Sequence, residues 1–180
     1  MQLFGKPKYL RGKYTYGKLN VRFPMADLRV GRFCSIADNV TVFLGGNHNT
    51  SSISTFPFGH TEESKELSDP IPNHPTSKGH VIIGNDVWIG ANSTIMSGIT
   101  IGNGVVIAAN SHVVTDIPDY AIFGGNPARL IRMRFPNETI ELLNEIQWWN
   151  FSTKRIKKII TLLTQEHVDI ELITKLAREI

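Results

Sequence analysis

Ile83-Gly84-Asn85-Asp86-Val87-Trp88, Ile89-Gly90-Ala91-Asn92-Ser93-Thr94, Ile95-Met96-Ser97-Gly98-Ile99-Thr100, Ile101-Gly102-Asn103-Gly104-Val105-Val106 and Ile107-Ala108-Ala109-Asn110-Ser111-His112 are successive hexapeptides, and Val113 opens another. Each begins with a branched aliphatic. The fourth residue is Asp86, Asn92, Gly98, Gly104, Asn110 or Asp116, types that accept left-handed backbone angles at little cost. The fifth is small or β-branched. A period of six is not helical, and residues four apart point to the same side of a strand. The pattern predicts a short strand and a corner, repeated, with three such sides per turn of a solenoid. Ile83 then stacks on Ile101, Ile89 on Ile107 and Ile95 on Val113.

Working outward, residues 83–118 carry only Asp86 and Asp116 as charges. An interior plugged by aliphatics explains that, because a charge there would be unpaired. Earlier copies run from Val30 to Ser35 and from Ile36 to Thr41, with Val42 opening a third. Cys34 falls on an inward fifth position and reads as a small buried thiol. The whole chain has 180 residues, 41% hydrophobic and 19% charged, with a formal net charge of +3. That balance gives no reason to expect nucleic acid. One cysteine excludes an internal disulfide framework. No apolar run reaches the ~18 residues of a membrane helix, and the first residues do not open a secretory signal. The expectation is a soluble, cytoplasmic protein. Two cationic groups stand out: Lys6, Lys8, Arg11, Lys13 and Lys18 near the start, and Arg129, Arg132 and Arg134 after the repeat.

The repeat breaks from about 44 to 80, in a stretch rich in Pro and polar residues. It holds His48, His60, His74 and His80; His112 and His167 lie elsewhere. A long irregular excursion from a rigid scaffold is usually functional. Residues 1–136 read as the solenoid and 137–180 as a helical extension. Asn137 is placed to cap a helix, with Glu138 and Glu141 in its first turn. Ser152 starts a second helix with Ile156, Ile159, Ile160 and Leu163 on one face, and a third runs from Val168 to Arg178. The extension is expected to cover the open solenoid end and to support oligomerisation.

The hexapeptides resemble the left-handed parallel β-helix of the hexapeptide-repeat acyltransferases. Val42-Phe43-Leu44-Gly45-Gly46-Asn47-His48, Ser54-Thr55-Phe56-Pro57-Phe58, Arg11-Gly12-Lys13-Tyr14-Thr15-Tyr16-Gly17 and Gly124-Gly125-Asn126-Pro127-Ala128-Arg129 are similar to the xenobiotic branch of that family. That branch includes streptogramin and type B chloramphenicol acetyltransferases and sugar O-acetyltransferases of surface-polysaccharide pathways. The resemblance implies a homotrimer using acetyl-CoA and no metal. It implies His48 as the general base, an imidazole serving both the acceptor hydroxyl and the departing thiolate. It puts acetyl-CoA against Trp88, Gly90, Ala91, Ala108 and Ala109, with Arg129 and Arg132 at its phosphates. Many relatives have Thr-Lys-Asp where this chain has Val114-Thr115-Asp116, so a phosphate contact is lost there or moved to Arg134. Tyr14, Tyr16, Asn47 and the 49–60 loop are candidates for the acceptor pocket. Trp88 reads equally as an aromatic packed under the long loop.

The main expectation is acetyl transfer to a hydroxyl of a sugar or surface-polysaccharide precursor. A xenobiotic O-acetyltransferase and an amino-sugar N-acyltransferase are the alternatives within the fold. A γ-type carbonic anhydrase needs paired histidines on one coil, and His112 stands alone in the repeat. A non-catalytic solenoid would need neither the Gly-Gly-Asn-His segment nor the Arg129 motif.

Overall fold

The computed structural model describes residues 7–72, 74–166, 168 and 170–178, so Lys6 and His167 lie outside it. The chain coils into a three-sided parallel β-helix. The first coil holds β1 (Tyr9–Arg11) and β2 (Leu19–Arg22). The second holds β3 (Leu28–Val30), β4 (Ser35–Ile36) and β5 (Val40–Phe43). After the long loop, the third holds β6 (Val81–Ile83), β7 (Trp88–Ile89) and β8 (Thr94–Ile95). The fourth holds β9 (Thr100–Ile101), β10 (Val106–Ile107) and β11 (His112–Val113). A last partial coil carries β12 (Ala121–Gly125), which turns into the antiparallel β13 (Ala128–Met133). Face I is β1-β3-β6-β9, face II is β4-β7-β10-β12-β13, and face III is β2-β5-β8-β11.

The register is the one the repeat predicts. Val30 pairs with Ile83 and Ile83 with Ile101; Ile36 and Ile107 flank Ile89; Val42 and Val113 flank Ile95. These residues are buried, and each such aliphatic contributes about 1.5–3 kcal/mol relative to exposure. Ser93 and Ser111 also point inward; both hydroxyls donate to the Ala108 carbonyl, at 3.1 and 2.6 Å, so neither is left unpaired. Cys34 is fully buried, and desolvation pushes its thiol pKa up, away from nucleophilic use.

Fourth positions form the corners. Asn39, Asp86, Asn92, Gly98, Gly104 and Asn110 all have φ between 56° and 76°, whereas Asp116 does not. At the I–II corner the column runs Tyr14, Phe33, Asp86, Gly104, Tyr120, and its three aromatics also hold positive φ. Bulky residues rarely do so. Packing offsets the strain: Phe33 stacks between Tyr14 and Trp148, each 4.8 Å away between ring centres. Gly31 is needed for a different reason. A Cβ there would come within 2.3 Å of the Gly84 carbonyl oxygen, so the coils close up only around a bare backbone.

The extension forms α1 (Asn137–Ile146), α2 (Thr153–Leu163) and α3 (Ile170–Arg178). Ser152 caps α2, its side chain accepting from the Arg155 N–H. Asn137 does not cap α1. Pro136 takes that position with no side-chain bond, its ring having set φ to −59° already. Ile156 and Ile159 are buried, but Ile160 is 49% exposed. The helices do not close the solenoid end as expected. They run down the I–II corner: Asn144 Nδ2 donates to Asp119 Oδ2 (2.8 Å) on the last coil, and Tyr14 and Thr153 share a hydroxyl bond (2.6 Å) on the first. The corner column is apolar enough to seat a second core of Tyr120, Ile140, Leu143, Ile146, Trp149 and Ile159.

Candidate active site

The long loop leaves at the III–I corner, between β5 and β6. Its neck is a two-residue bridge in which Asn47 and Thr76 exchange backbone hydrogen bonds of 2.9 and 2.8 Å. The Asn47 side chain donates to Ser97 Oγ at 2.8 Å, tying the loop to the third coil. One N–H of the Asn47 amide is thereby engaged in holding the loop. Gly45 and Gly46 clear space for Met25 and the Phe23 ring rather than for a substrate.

His48 follows directly and is exposed. Its Nδ1–H donates to the Thr55 carbonyl at 2.7 Å. A carbonyl can only accept, so a neutral imidazole held this way carries its proton on Nδ1 and presents Nε2 as a bare acceptor. His74, which is buried, donates Nε2–H to the same carbonyl at 3.0 Å and meets the His48 ring edge-on, with centres 5.1 Å apart. His74, Thr55 and Ser97 were not distinguishable in the sequence, because no local spacing signals a contact made across a loop. His60 Nε2–H donates to the Ile71 carbonyl within the loop itself (2.8 Å), and His80 Nδ1 accepts from the Asp27 N–H (2.9 Å).

Face II collects most of the other candidates. Tyr16, Ser35, Trp88, Val106, Ile122 and Arg132 fall in one outward column, joined strand to strand. Trp88 is 56% exposed, so it is not packed under the loop. Gly90, Ala91, Ala108 and Ala109 turn the II–III corner beside it, where a Cβ on Gly90 would lie 2.5 Å from the Ala109 nitrogen. Arg129 and Arg132 sit on β13 at the edge of the face. Their side chains donate to the backbone carbonyls of Ala128 and Met133, and among the described residues neither is in an ion pair. Arg134 differs. It pairs with Asp86 (3.4 Å) and donates to Gly104 O (2.6 Å) at the I–II corner. Tyr14 is likewise at that corner, under α2, and is not brought near His48. In a three-sided prism the III–I corner is the edge opposite face II, so one chain keeps His48 apart from the Trp88 column.

The family model described as bacterial transferase hexapeptide (six repeats) matches residues 80–115. A probable macrolide acetyltransferase of Lysinibacillus sphaericus is 43% identical over 152 residues, covering 84% of each chain. This chain belongs to the hexapeptide-repeat acetyltransferases. A chloramphenicol acetyltransferase of Agrobacterium fabrum is also 43% identical, over 173 residues, 91% of this chain and 82% of the other. An N-acyltransferase from Bacillus cereus, solved with dTDP-4-amino-4,6-dideoxyglucose and coenzyme A, superposes with a TM-score of 0.50 at 26% identity, covering 78% of this chain and 68% of that one. The coil of this hexapeptide-repeat acetyltransferase is accordingly the left-handed parallel β-helix.

Proposed function

We propose that this acetyltransferase moves an acetyl group from acetyl-CoA to a hydroxyl of a small xenobiotic acceptor. The observation that carries the chemistry is the tie between His48 Nδ1 and the Thr55 carbonyl, which leaves Nε2 free to take a proton. In the reaction the acceptor hydroxyl loses its proton to His48 Nε2 as its oxygen attacks the thioester carbonyl. The C–S bond then breaks, and the imidazolium returns the proton to the departing thiolate. The products are an acetyl ester and free coenzyme A. Face II suits the donor: a column free of charge from Tyr16 to Ile122 matches the neutral arm. The unpaired Arg129 and Arg132 at its edge match the phosphates.

Two relatives support the xenobiotic class, one named for macrolides and one for chloramphenicol. The loop supports it independently, because Ile53 and Phe56 stand exposed on either side of Thr55, offering apolar contact beside the base. A sugar acceptor is the second reading, supported by the sugar nucleotide held by the Bacillus cereus relative. Thiol release measured with chloramphenicol, a streptogramin, a macrolide and a panel of free and nucleotide-linked sugars distinguishes them. Turnover confined to sugars favours the second reading, and no turnover with any hydroxyl refutes both.

The placement of His48 opposite face II supports a homotrimer in which the loop of one subunit meets face II of the next. A closed threefold ring repeats that contact three times with nothing left open. With acetyl-CoA well below the KM of the arginine variant, mixing His48→Ala subunits with subunits carrying Arg129→Ala and Arg132→Ala should give a rate above the average of the two alone. No such gain, or a light-scattering mass of one chain, refutes the shared site.

A further inference from the structure

Between the helical layer and the I–II corner lies a cavity of about 440 Å³. A site for a small organic molecule typically spans ~300–1,000 Å³. Leu143, Trp148, Ile156, Leu163 and Leu172 wall it with hydrocarbon, while Asp86, Arg134 and Tyr120 make its polar part. Two of those three already satisfy one another: Arg134 Nη1 donates to Asp86 Oδ2 at 3.4 Å and to the Gly104 carbonyl at 2.6 Å. The third does not. Tyr120 is 1% exposed, and its hydroxyl has no hydrogen-bond partner among the described residues. A buried phenol without a partner is uncommon, because it gave up water and received nothing in exchange.

We propose that this cavity is a second binding site, for a small neutral molecule, mostly apolar, carrying one hydrogen-bond acceptor. The walls call for hydrocarbon or an aromatic ring. The buried polar atom of this lining without a partner among the described residues is the Tyr120 O–H, a donor, which calls for a carbonyl or ether oxygen. Charge on the ligand is disfavoured in both signs, since an anion meets Asp86 and a cation meets Arg134. The site is separate from the proposed transfer chemistry: it lies on the I–II corner, whereas His48 lies on the III–I corner. Ile160, a half-exposed lining residue, stands at its rim.

The probe for the test is 6-propionyl-2-(dimethylamino)naphthalene, a neutral aromatic ketone whose emission shifts to the blue in apolar surroundings. Titrated into the full-length protein, it should bind saturably, one per chain, and saturating coenzyme A should not displace it. Tyr120→Phe keeps the ring and removes the donor, and should weaken binding about three- to tenfold. Ile160→Trp should fill the mouth and abolish the blue-shifted signal while the melting temperature is held. Absence of saturable binding, displacement by coenzyme A, or binding unchanged by Ile160→Trp each overturns the site. Equal affinity in wild type and Tyr120→Phe overturns the assigned ligand class. Should Tyr120→Phe fail to fold, Ile160→Trp still decides, because its side chain begins at the surface.

Discussion

Replacing His48 with Ala is the sharpest perturbation of the proposed chemistry, and the structure sets its size. His48 is exposed; among the described residues it bonds to Thr55 O and sets a ring edge against His74. Its loss leaves that carbonyl still accepting from His74 at 3.0 Å, so no buried group is orphaned and the melting temperature should hardly move. What disappears is positioned proton transfer, worth about 10²- to 10⁴-fold, or about 2.7–5.5 kcal/mol of transition-state stabilisation. We expect kcat to fall by that factor, while calorimetric affinity for acetyl-CoA is unchanged because Arg129, Arg132 and face II are intact. His74 acts through His48, as a positioning residue. His74→Phe keeps a ring in the same space but removes one neutral hydrogen bond, worth about 0.5–1.5 kcal/mol, so kcat should fall about two- to tenfold with the KM for acetyl-CoA unaltered. His74→Gln retains a donor and should recover most of that loss. Thiol release followed continuously at several acceptor concentrations separates kcat from KM. Near-normal kcat in His48→Ala refutes the mechanism, and equal loss in His74→Phe and His74→Gln refutes the shared-carbonyl argument.

Further expectations concern the donor and the fold. Arg129→Ala with Arg132→Ala should raise the KM for acetyl-CoA about 2- to 30-fold, from up to ~1 kcal/mol per exposed contact, and leave the acceptor KM alone. The effect should shrink with a donor truncated to its pantetheine arm and in high salt, which screens charges over ~8–10 Å; equal damage with both donors argues against a phosphate role. Gly31→Ala forces a methyl against the Gly84 carbonyl and should lower stability by about 1–3 kcal/mol in urea titration, whereas an unchanged midpoint contradicts the coil spacing. Burial holds the Asp86 carboxyl above the ordinary carboxylate range, although the Arg134 guanidinium pulls it down. An acid raised in the fold burdens stability where it is ionised, and the burden vanishes as pH falls through the folded pKa toward the ordinary aspartate value of 3.8. Asp86→Asn, which suits the left-handed backbone angle that Asn92 and Asn110 hold at their own corner, should therefore melt above wild type at pH 7 and match it near pH 4. A lower melting temperature at pH 7 would show that the Arg134 pair outweighs the burial.

The sequence by itself determined the coil. A stacked strand repeats its environment at each turn, so the demand for an aliphatic at position one and a left-handed residue at position four is written locally. Ile83, Ile89 and Ile95 accordingly found the partners that the period assigned. His48 was singled out too, as a candidate, through the Gly45–His48 segment and its resemblance to a family rather than through spacing. Contacts between segments with no common period could be decided only by the tertiary structure. Phe33 at a corner looks like a misplaced residue until Tyr14 and Trp148 close on it from opposite ends of the chain. Arg134 reads as one of three equivalent cations, and only its neighbour Asp86 removes it from the donor edge. The helices have amphipathic faces that any apolar surface satisfies, so periodicity fixes which residues they bury but not where they dock. The aromatic column of the I–II corner decided that, and His74 joined His48 for the same reason: a folded loop brings one carbonyl within reach of two rings far apart in sequence.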